Sequence, residues 1–305
     1  MNLQLLIERY IEFQETLGSP FVTNAIVLRA FSRDMGKTTH VRDVRPEHVE
    51  AFLGKTKPVT STWHGKYSRL RAFFQYAVSR DYIDVVPLPT AIPKRPSPFV
   101  PYIYTREELH RLLWVIDADK RSSCLEPATT RTLILLLYGA GLRLREATNL
   151  ACADAELNRS LLTIRHTKFD KTRLVPVGPQ LRDALAQYAM HTRKRSGGSP
   201  FFVTRTGAAV KPDTLQHNFR ILCDRAGIRR SDGTEQPRLH DLRHTFAVHR
   251  LTSWYRQGAD VQRLLHHLSV YLGHVHIRHT QVYLTMTPEL LHEAGLRFEH
   301  YAGKE

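Results

Sequence analysis

The residues best suited to chemistry lie in the last third of the chain, in Leu239-His240-Asp241-Leu242-Arg243-His244-Thr245. His240 and Arg243 stand three apart, so on a helix they share one face about a turn apart. Leu272-Gly273-His274 follows, and then Tyr283. A titratable imidazole beside a permanent cation, with a second histidine and a tyrosine downstream, suits reactions at phosphate. A phosphodiester in DNA resists attack because its anionic oxygens repel nucleophiles and its alkoxide leaves poorly. A metal-free protein must set cations on the nonbridging oxygens, give the leaving oxygen a proton and present a nucleophile in line. Arginine is the best fixed cation, because its planar fork meets two oxygens and keeps its charge. Arg143, after a glycine-containing break, and Arg243, on a helix, fit that part. His240 can donate to the phosphate or shuttle a proton, and Lys168, in a hairpin turn, can protonate the leaving 5′ oxygen. Tyr283 is the candidate nucleophile, and His274 could hydrogen-bond the transition state.

Each residue also has a plainer reading. Arg145 beside Glu146 reads as an ion pair, and a lysine in a turn reads as solvated. Tyr283, between Val282 and Leu284, could be a core aromatic with its hydroxyl at the surface. The cluster His266, His267, His274, His276 and His279 raises zinc as an alternative. The absence of HExxH or a nearby cysteine pair, and the scarcity of carboxylates, argue against a metal site. No cofactor is expected.

The elements that must position these residues follow from hydrophobic spacing. Residues 1–90 read as a self-contained helical domain, with Leu3, Leu6, Ile7, Tyr10 and Phe13, then Ile26, Leu28 and Phe31, then Val49, Phe52 and Leu53 at helical intervals. Its longest helix is expected over about Ser61–Asp81, burying Tyr67, Leu70, Phe74 and Ala77. The other face carries Lys66 and Arg69, with Arg71 and Arg80 at the flanks. This is either a solvated face or one that contacts DNA phosphates. Six prolines from Pro87 to Pro101 forbid a regular helix there, so residues 91–104 read as a semi-rigid linker. Thr105-Arg-Glu-Glu108 is a capping box that opens the second domain, residues 105–305.

In that domain an apolar helix, Thr132–Tyr138, is expected to break at Gly139-Ala-Gly141. Leu161–Thr167 and Arg173–Val177 read as a hairpin with a basic tip, Lys168–Thr172. A helix over Gln180–Thr192, a short strand at Phe201–Thr204 and a helix capped by Asp213 and ending near Arg225 come next. From Leu239 onward the pattern is helical. Thr287-Pro288 starts a last helix with Leu290, Leu291, Ala294, Phe298 and Tyr301 as its apolar stripe. The expected fold class is mainly α with a small antiparallel β-sheet in the C-terminal domain.

Composition bounds the function. Forty-four Lys and Arg against 29 Asp and Glu give a net charge of +15 in 305 residues, the footprint of a polyanion binder. Cys124, Cys152 and Cys223 have no CxxC spacing and read as reduced core residues of a cytoplasmic protein. No signal peptide or membrane span is expected.

Gly141-Leu-Arg143 with Glu146, the Lys168 hairpin, His240-Asp-Leu-Arg243-His244-Thr-Phe, Leu272-Gly-His274 and Thr280-Gln-Val-Tyr283 occur in the order of the tyrosine recombinase (phage integrase) family, which the chain resembles from about Tyr104 to its end. More loosely, residues 1–90 resemble that family's core-binding domain. The stretch from Arg243 to His274 is longer than is usual in the family by about two helical turns. Lys171 competes with Lys168; the latter is preferred because the family's lysine directly follows the first strand. The resemblance implies a two-domain clamp on double-stranded DNA. Arg143, Lys168, His240, Arg243 and His274 would surround the phosphate, and Tyr283 would form a 3′-phosphotyrosyl link. It also implies a homotetramer on paired sites, built of inverted repeats, and a C-terminal helix that docks on a neighbouring protomer. Neither ATP nor an obligatory metal would be needed. A phage- or transposon-type integrase is the favoured reading. A catalytically silent DNA-binding regulator and a type IB topoisomerase-like relaxing enzyme are its rivals.

Overall fold

Asn2 starts the first helix by accepting the Gln4 and Leu5 amides on its side-chain oxygen (2.8 and 3.3 Å). In this computed structural model, residues 1–18, 21–55, 59–96, 100–120, 123–165, 172–192, 199–230, 236–285 and 290–296 are described. The chain divides into two units, Met1–Phe99 and Val100–Glu305.

The first unit holds α1 (Leu3–Thr16), α2 (Val22–Met35), α3 (Pro46–Gly54) and α4 (Ser61–Ser79). Leu3, Leu6, Ile7 and Tyr10 of α1 meet Phe31, Leu53, Leu70, Phe73 and Phe74 in one core. Two expectations change here. Ile26 is 60% exposed, because α2 turns Ala25, Leu28 and Phe31 inward and the position after Ala25 falls outside that stripe. Tyr67 is only half-buried, stacked on the buried Trp63 at 5.5 Å.

The second unit begins inside the expected linker. Tyr104 is fully buried; its amide donates to Thr245 Oγ1 and its hydroxyl to the Arg238 carbonyl, both at 3.1 Å. A large aromatic ring that can also satisfy its hydroxyl gains more from the core than from a solvated linker. The Thr105–Glu108 capping box forms as expected, at 2.9 and 3.1 Å, and opens α5 (Arg106–Asp117). There follow α6 (Pro127–Ala140), α7 (Leu144–Thr148), β1 (Ala155–Glu156), β2 (Leu161–Ile164), β3 (Arg173–Pro176), α8 (Pro179–Thr192), α9 (Pro212–Arg225), α10 (Asp241–Arg256), α11 (Val261–Leu272) and α12 (Arg278–Gln281). Residues 290–296 are also helical.

The three strands form one antiparallel sheet in the order β1-β2-β3, with Leu162 opposite Val175 and Ile164 opposite Arg173. The hairpin tip, residues 166–171 with Lys168 and Lys171, lies outside the described residues. α6 is the central helix, buried from Thr129 to Ala140 on most sides. It ends within Gly139-Ala-Gly141 as expected, though Gly139 itself is still helical. A Cβ at Gly139 would lie 3.1 Å from Leu181 Cδ2, so this glycine admits α8, and the helix ends only at Gly141, whose φ is +59°.

Other local expectations are corrected by hydrogen bonding. Phe201, Phe202 and Val203 are all buried, which an alternating strand forbids. Only single bridges form here, Ala151 to Pro200 and Val203 to Ala209, and the Val203 amide donates to the Tyr188 hydroxyl (3.1 Å). The residue before α9 is Lys211, with Pro212 first in the helix and Asp213 in its first turn. Cys223 is buried, but Cys124 and Cys152 are exposed.

Candidate active site

α11 runs from Val261 to Leu272 and ends at Gly273, whose φ of +68° is left-handed. A helix end leaves carbonyls without intrahelical donors and carries a partial negative charge. Here three consecutive carbonyls each accept from a different arginine. Tyr271 O takes Arg173 Nε (3.1 Å), Leu272 O takes Arg243 Nη2 (2.7 Å) and Gly273 O takes Arg143 Nη2 (2.9 Å). Arg243 spends its other terminal nitrogen on the Gly141 carbonyl (2.7 Å).

Residues far apart in sequence are thus fixed to one turn of backbone. Both left-handed glycines are sterically required. A Cβ at Gly141 would fall 2.5 Å from Phe246 Cδ1, and one at Gly273 would fall 3.1 Å from Arg173 Nη1.

One carboxylate serves these cations. Glu146, in α7, accepts from Arg143 Nη1 (2.8 Å) and the Arg143 amide (2.9 Å). It also accepts both Arg173 terminal nitrogens (2.9 and 2.7 Å). The expected pairing of Glu146 with Arg145 is therefore replaced: Arg145 follows Arg143 in a short helix whose first turn points Glu146 back at its own cap. Burial pushes the Glu146 carboxyl up, but Arg173 and Arg143 more than offset it and bring it down to about 2. Three guanidinium groups to one carboxylate leave the site positive. Burial, and then the Arg143 charge, lower Arg243 to about 10; it is still a cation at neutral pH.

The histidines and the tyrosine complete the cluster. His240 caps α10, and its ring meets His244 edge-on at 5.0 Å. His244 lies 5.6 Å from the Tyr283 ring, and His274 lies nearly parallel to that ring at 6.2 Å. His274 Nδ1 is taken by the fully buried Thr280 hydroxyl at 2.7 Å, which leaves Nε2 for another partner. The stretch between Arg243 and His274 folds as the rest of α10 and all of α11, and the His274 ring faces that of Tyr283. Burial first, then neighbouring cations, bring His274 down to about 3. His244 falls to about 3 through burial and then the neighbouring His240, and burial and Arg243 lower His240.

Tyr283 is 2% exposed, packed with Phe246, Leu268 and Leu272. Burial raises its hydroxyl, while the charge and hydrogen bond of Arg243 act the other way. It is an aromatic of the core, as one reading allowed, but it is buried whole and its hydroxyl feels the charge of Arg243. A cavity of about 380 Å³ beside His240 is lined by Gln216, Arg220 and Arg238.

The structure thus brings together Arg143, His240, Arg243, His274 and Tyr283, while Lys168 lies outside the described residues. Sequence reasoning missed Arg173 and the supporting part of Thr280. Arg173 opens a strand and looks like any solvated strand-end arginine, and no spacing links it to Glu146. Among the described residues no three His, Cys, Asp or Glu side chains converge as a metal site, and no helix is long and apolar enough to cross a membrane.

The α4 cations are placed differently. Lys66 Nζ sits 5.1 Å from the Phe52 ring centroid, and Arg69 Nε donates to Asn24 Oδ1 at 2.7 Å. Arg71 is exposed and borders a cavity of about 330 Å³ with His64, Gln75 and Arg95.

Fold and site together define a two-unit, mostly helical protein with a cationic tyrosine–histidine cluster. The Phage integrase family profile matches residues 104–289. "Putative integrase/recombinase y4rB" of Sinorhizobium fredii is 38% identical, across 96% of each chain. Tyrosine recombinase XerA of Thermococcus kodakarensis is 33% identical over 74% of this chain and 71% of its own length. Among solved structures, the Tn1549 transposon integrase in complex with transposon right end DNA shares the fold at a TM-score of 0.71 and 18% identity, covering 99% of this chain and 100% of that one. A lambda integrase dimer bound to a COC' core site has a TM-score of 0.68 and 17% identity, covering 91% of this chain and 96% of the other. The chain belongs to the phage integrase family.

Proposed function

We propose that this chain is a site-specific DNA recombinase of integrase type, which cuts and rejoins double-stranded DNA through a 3′-phosphotyrosyl bond to Tyr283. The observation that carries the reading is the placement of Tyr283 between His244 and His274, with the Arg243 charge acting on its hydroxyl, beside the arginine cluster that ends on α11. The Tyr283 oxygen attacks phosphorus, the bond to the 5′ oxygen breaks, and Lys168 gives that oxygen its proton. Arg143 and Arg243 neutralise the nonbridging oxygens as charge develops there. His240 and His274 donate to the same phosphate, and an arriving phosphate favours their protonated forms. Attack by the freed 5′ hydroxyl of a partner strand reverses the step, so the ester bond energy is kept.

The first unit contacts DNA through Arg71 and, more weakly, Lys66 and Arg69. The assembly is a tetramer on two sites built of inverted repeats, as a tetramer is seen for lambda integrase on a Holliday junction. The protein works in the cytoplasm on the nucleoid, for a mobile element of phage or transposon type.

The test uses duplex sites selected by binding from a random pool and nicked so that cleavage is trapped. A covalent protein–DNA band that disappears in Tyr283→Phe, with strand exchange between paired sites, is the expected result. Binding without any covalent band would leave a silent regulator, and relaxation of supercoils without pairing would leave a topoisomerase-like enzyme.

A further inference from the structure

We propose that Arg173 is a positioning residue for strand cleavage: it holds Glu146 and the last turn of α11 so that Arg143 can present its charge to the phosphate. The inference rests on the reading of Arg143 as a phosphate ligand.

An ionised carboxylate has about four acceptor positions, and in Glu146 two go to Arg143 and two to Arg173. Without Arg173, Glu146 and Arg143 would form a closed pair, with the carboxylate cancelling the cation meant for DNA. With Arg173 present, the carboxylate is neutralised from the strand side, and Arg143 is aimed without being consumed.

The third contact of Arg173 is equally specific. Its Nε donates to Tyr271 O (3.1 Å), two residues before the Gly273 carbonyl that anchors Arg143 Nη2. The Tyr271 hydroxyl returns to the β3 carbonyl of Pro176 (3.1 Å), so strand and helix end are joined twice. Arg173 is mostly buried, its side chain 13% exposed against 30% for Arg143. The more open arginine is the one placed to meet substrate, and the more enclosed one supports it.

The experiment is single-turnover formation of the covalent complex on a trapped, nicked duplex site across pH, with DNA affinity and melting temperature measured alongside. Arg173→Gln should slow cleavage about 10- to 100-fold and leave DNA affinity within about threefold. Its rate should also fall off at a higher pH than in the native protein, because Glu146 then takes a proton more readily. A purely structural ion pair would not move that acid limb. Arg173→Lys, which keeps the charge but not the fork, should recover part of the rate and carries the test if Arg173→Gln fails to fold.

A folded Arg173→Gln, or failing that Arg173→Lys, with the native rate and pH profile would overturn the inference. Arg143→Lys, run in parallel, separates the two failures. If it too cleaves at the native rate, the reading of Arg143 itself is wrong. If it is slow while the Arg173 variants are not, only the positioning is wrong. Losses that multiply in the Arg143→Lys/Arg173→Gln double variant would likewise count against action through Arg143.

Discussion

The arginines at the end of α11 and the cations of α4 carry the same charge but are held in opposite ways. Arg243 is 2% exposed and divides its fork between the carbonyls of Gly141 and Leu272. Arg143 is tied to Glu146 and to Gly273 O. On α4, Lys66 rests over a ring, Arg69 reaches one amide oxygen, and Arg71 stands exposed. Charges fixed by backbone need no reorganisation when charge develops on a substrate, so they act on the barrier. Charges on solvated side chains exchange counterions and act on binding. The comparison therefore divides rate from affinity between the two regions.

The largest effect should come from removing a fixed cation. Arg243→Ala is expected to lower the covalent-complex rate on the order of 10³-fold, about 4 kcal/mol at the barrier, with DNA affinity changed only a few-fold. Quench-flow measurement of the phosphotyrosyl product checks this. An affinity loss as large as the rate loss would break the division.

Next comes the backbone that aims the cation. Gly141→Ala asks for a left-handed residue and sets a Cβ 2.5 Å from Phe246 and 2.9 Å from Leu272. A cost of about 2–4 kcal/mol in stability follows from strain and overpacking. Urea denaturation gives the value, and a change under about 0.5 kcal/mol would mean that this turn is less rigid than its contacts require.

These two positions also show where sequence reading succeeds and where it stops. The helical periods of α1, α4 and α10, the Thr105 capping box and the β2–β3 hairpin were legible because each is a local pattern. So was the set of Arg143, His240, Arg243, His274 and Tyr283, through its order along the chain. Arg173 was not, since its partners are Glu146, 27 positions away, and Tyr271, 98 away. The end of α6 at Gly139-Ala-Gly141 was legible, but not the reason for Gly139, because local propensity cannot see Leu181 approaching from α8. Tyr104 looked like linker because only tertiary burial distinguishes it from its proline-rich surroundings. Nothing in the sequence says that Glu146 turns from Arg145 to two other arginines, because a cap geometry decides it.

A pH dependence follows from the enclosed histidines of the same region. His244 and His274 lie near 3 and His240 is lowered, in each case first through burial, whereas unfolded histidines titrate near 6.5. Between those values the unfolded chain binds more protons, so stability falls as pH drops from about 6.5 towards 3. Glu146, lowered to about 2, adds a loss of the same sign below the ordinary carboxylate range. The melting temperature should fall between pH 7.5 and 5, less so for His274→Asn and less so with bound DNA, whose phosphate favours imidazolium. A flat profile would mean that water reaches these rings. That outcome would blur the contrast with α4, where every cation is at least partly solvated.

The smallest effect should arise where the charge is held most loosely. Arg71 lies on the outer face of α4, beside a cavity it shares with Gln75 and Arg95, and its burial is slight. If it meets a phosphate, Arg71→Ala releases one counterion fewer on binding. The slope of log affinity against log salt should then drop by about 1, and affinity by a few-fold at moderate salt. Cleavage at saturating DNA should be unchanged, because no reacting atom depends on this side chain. Fluorescence anisotropy over a salt series measures the slope, and the trapped-site assay measures the rate. A variant slow in cleavage at saturation, with its salt slope intact, would place part of the catalytic electrostatics in the first unit.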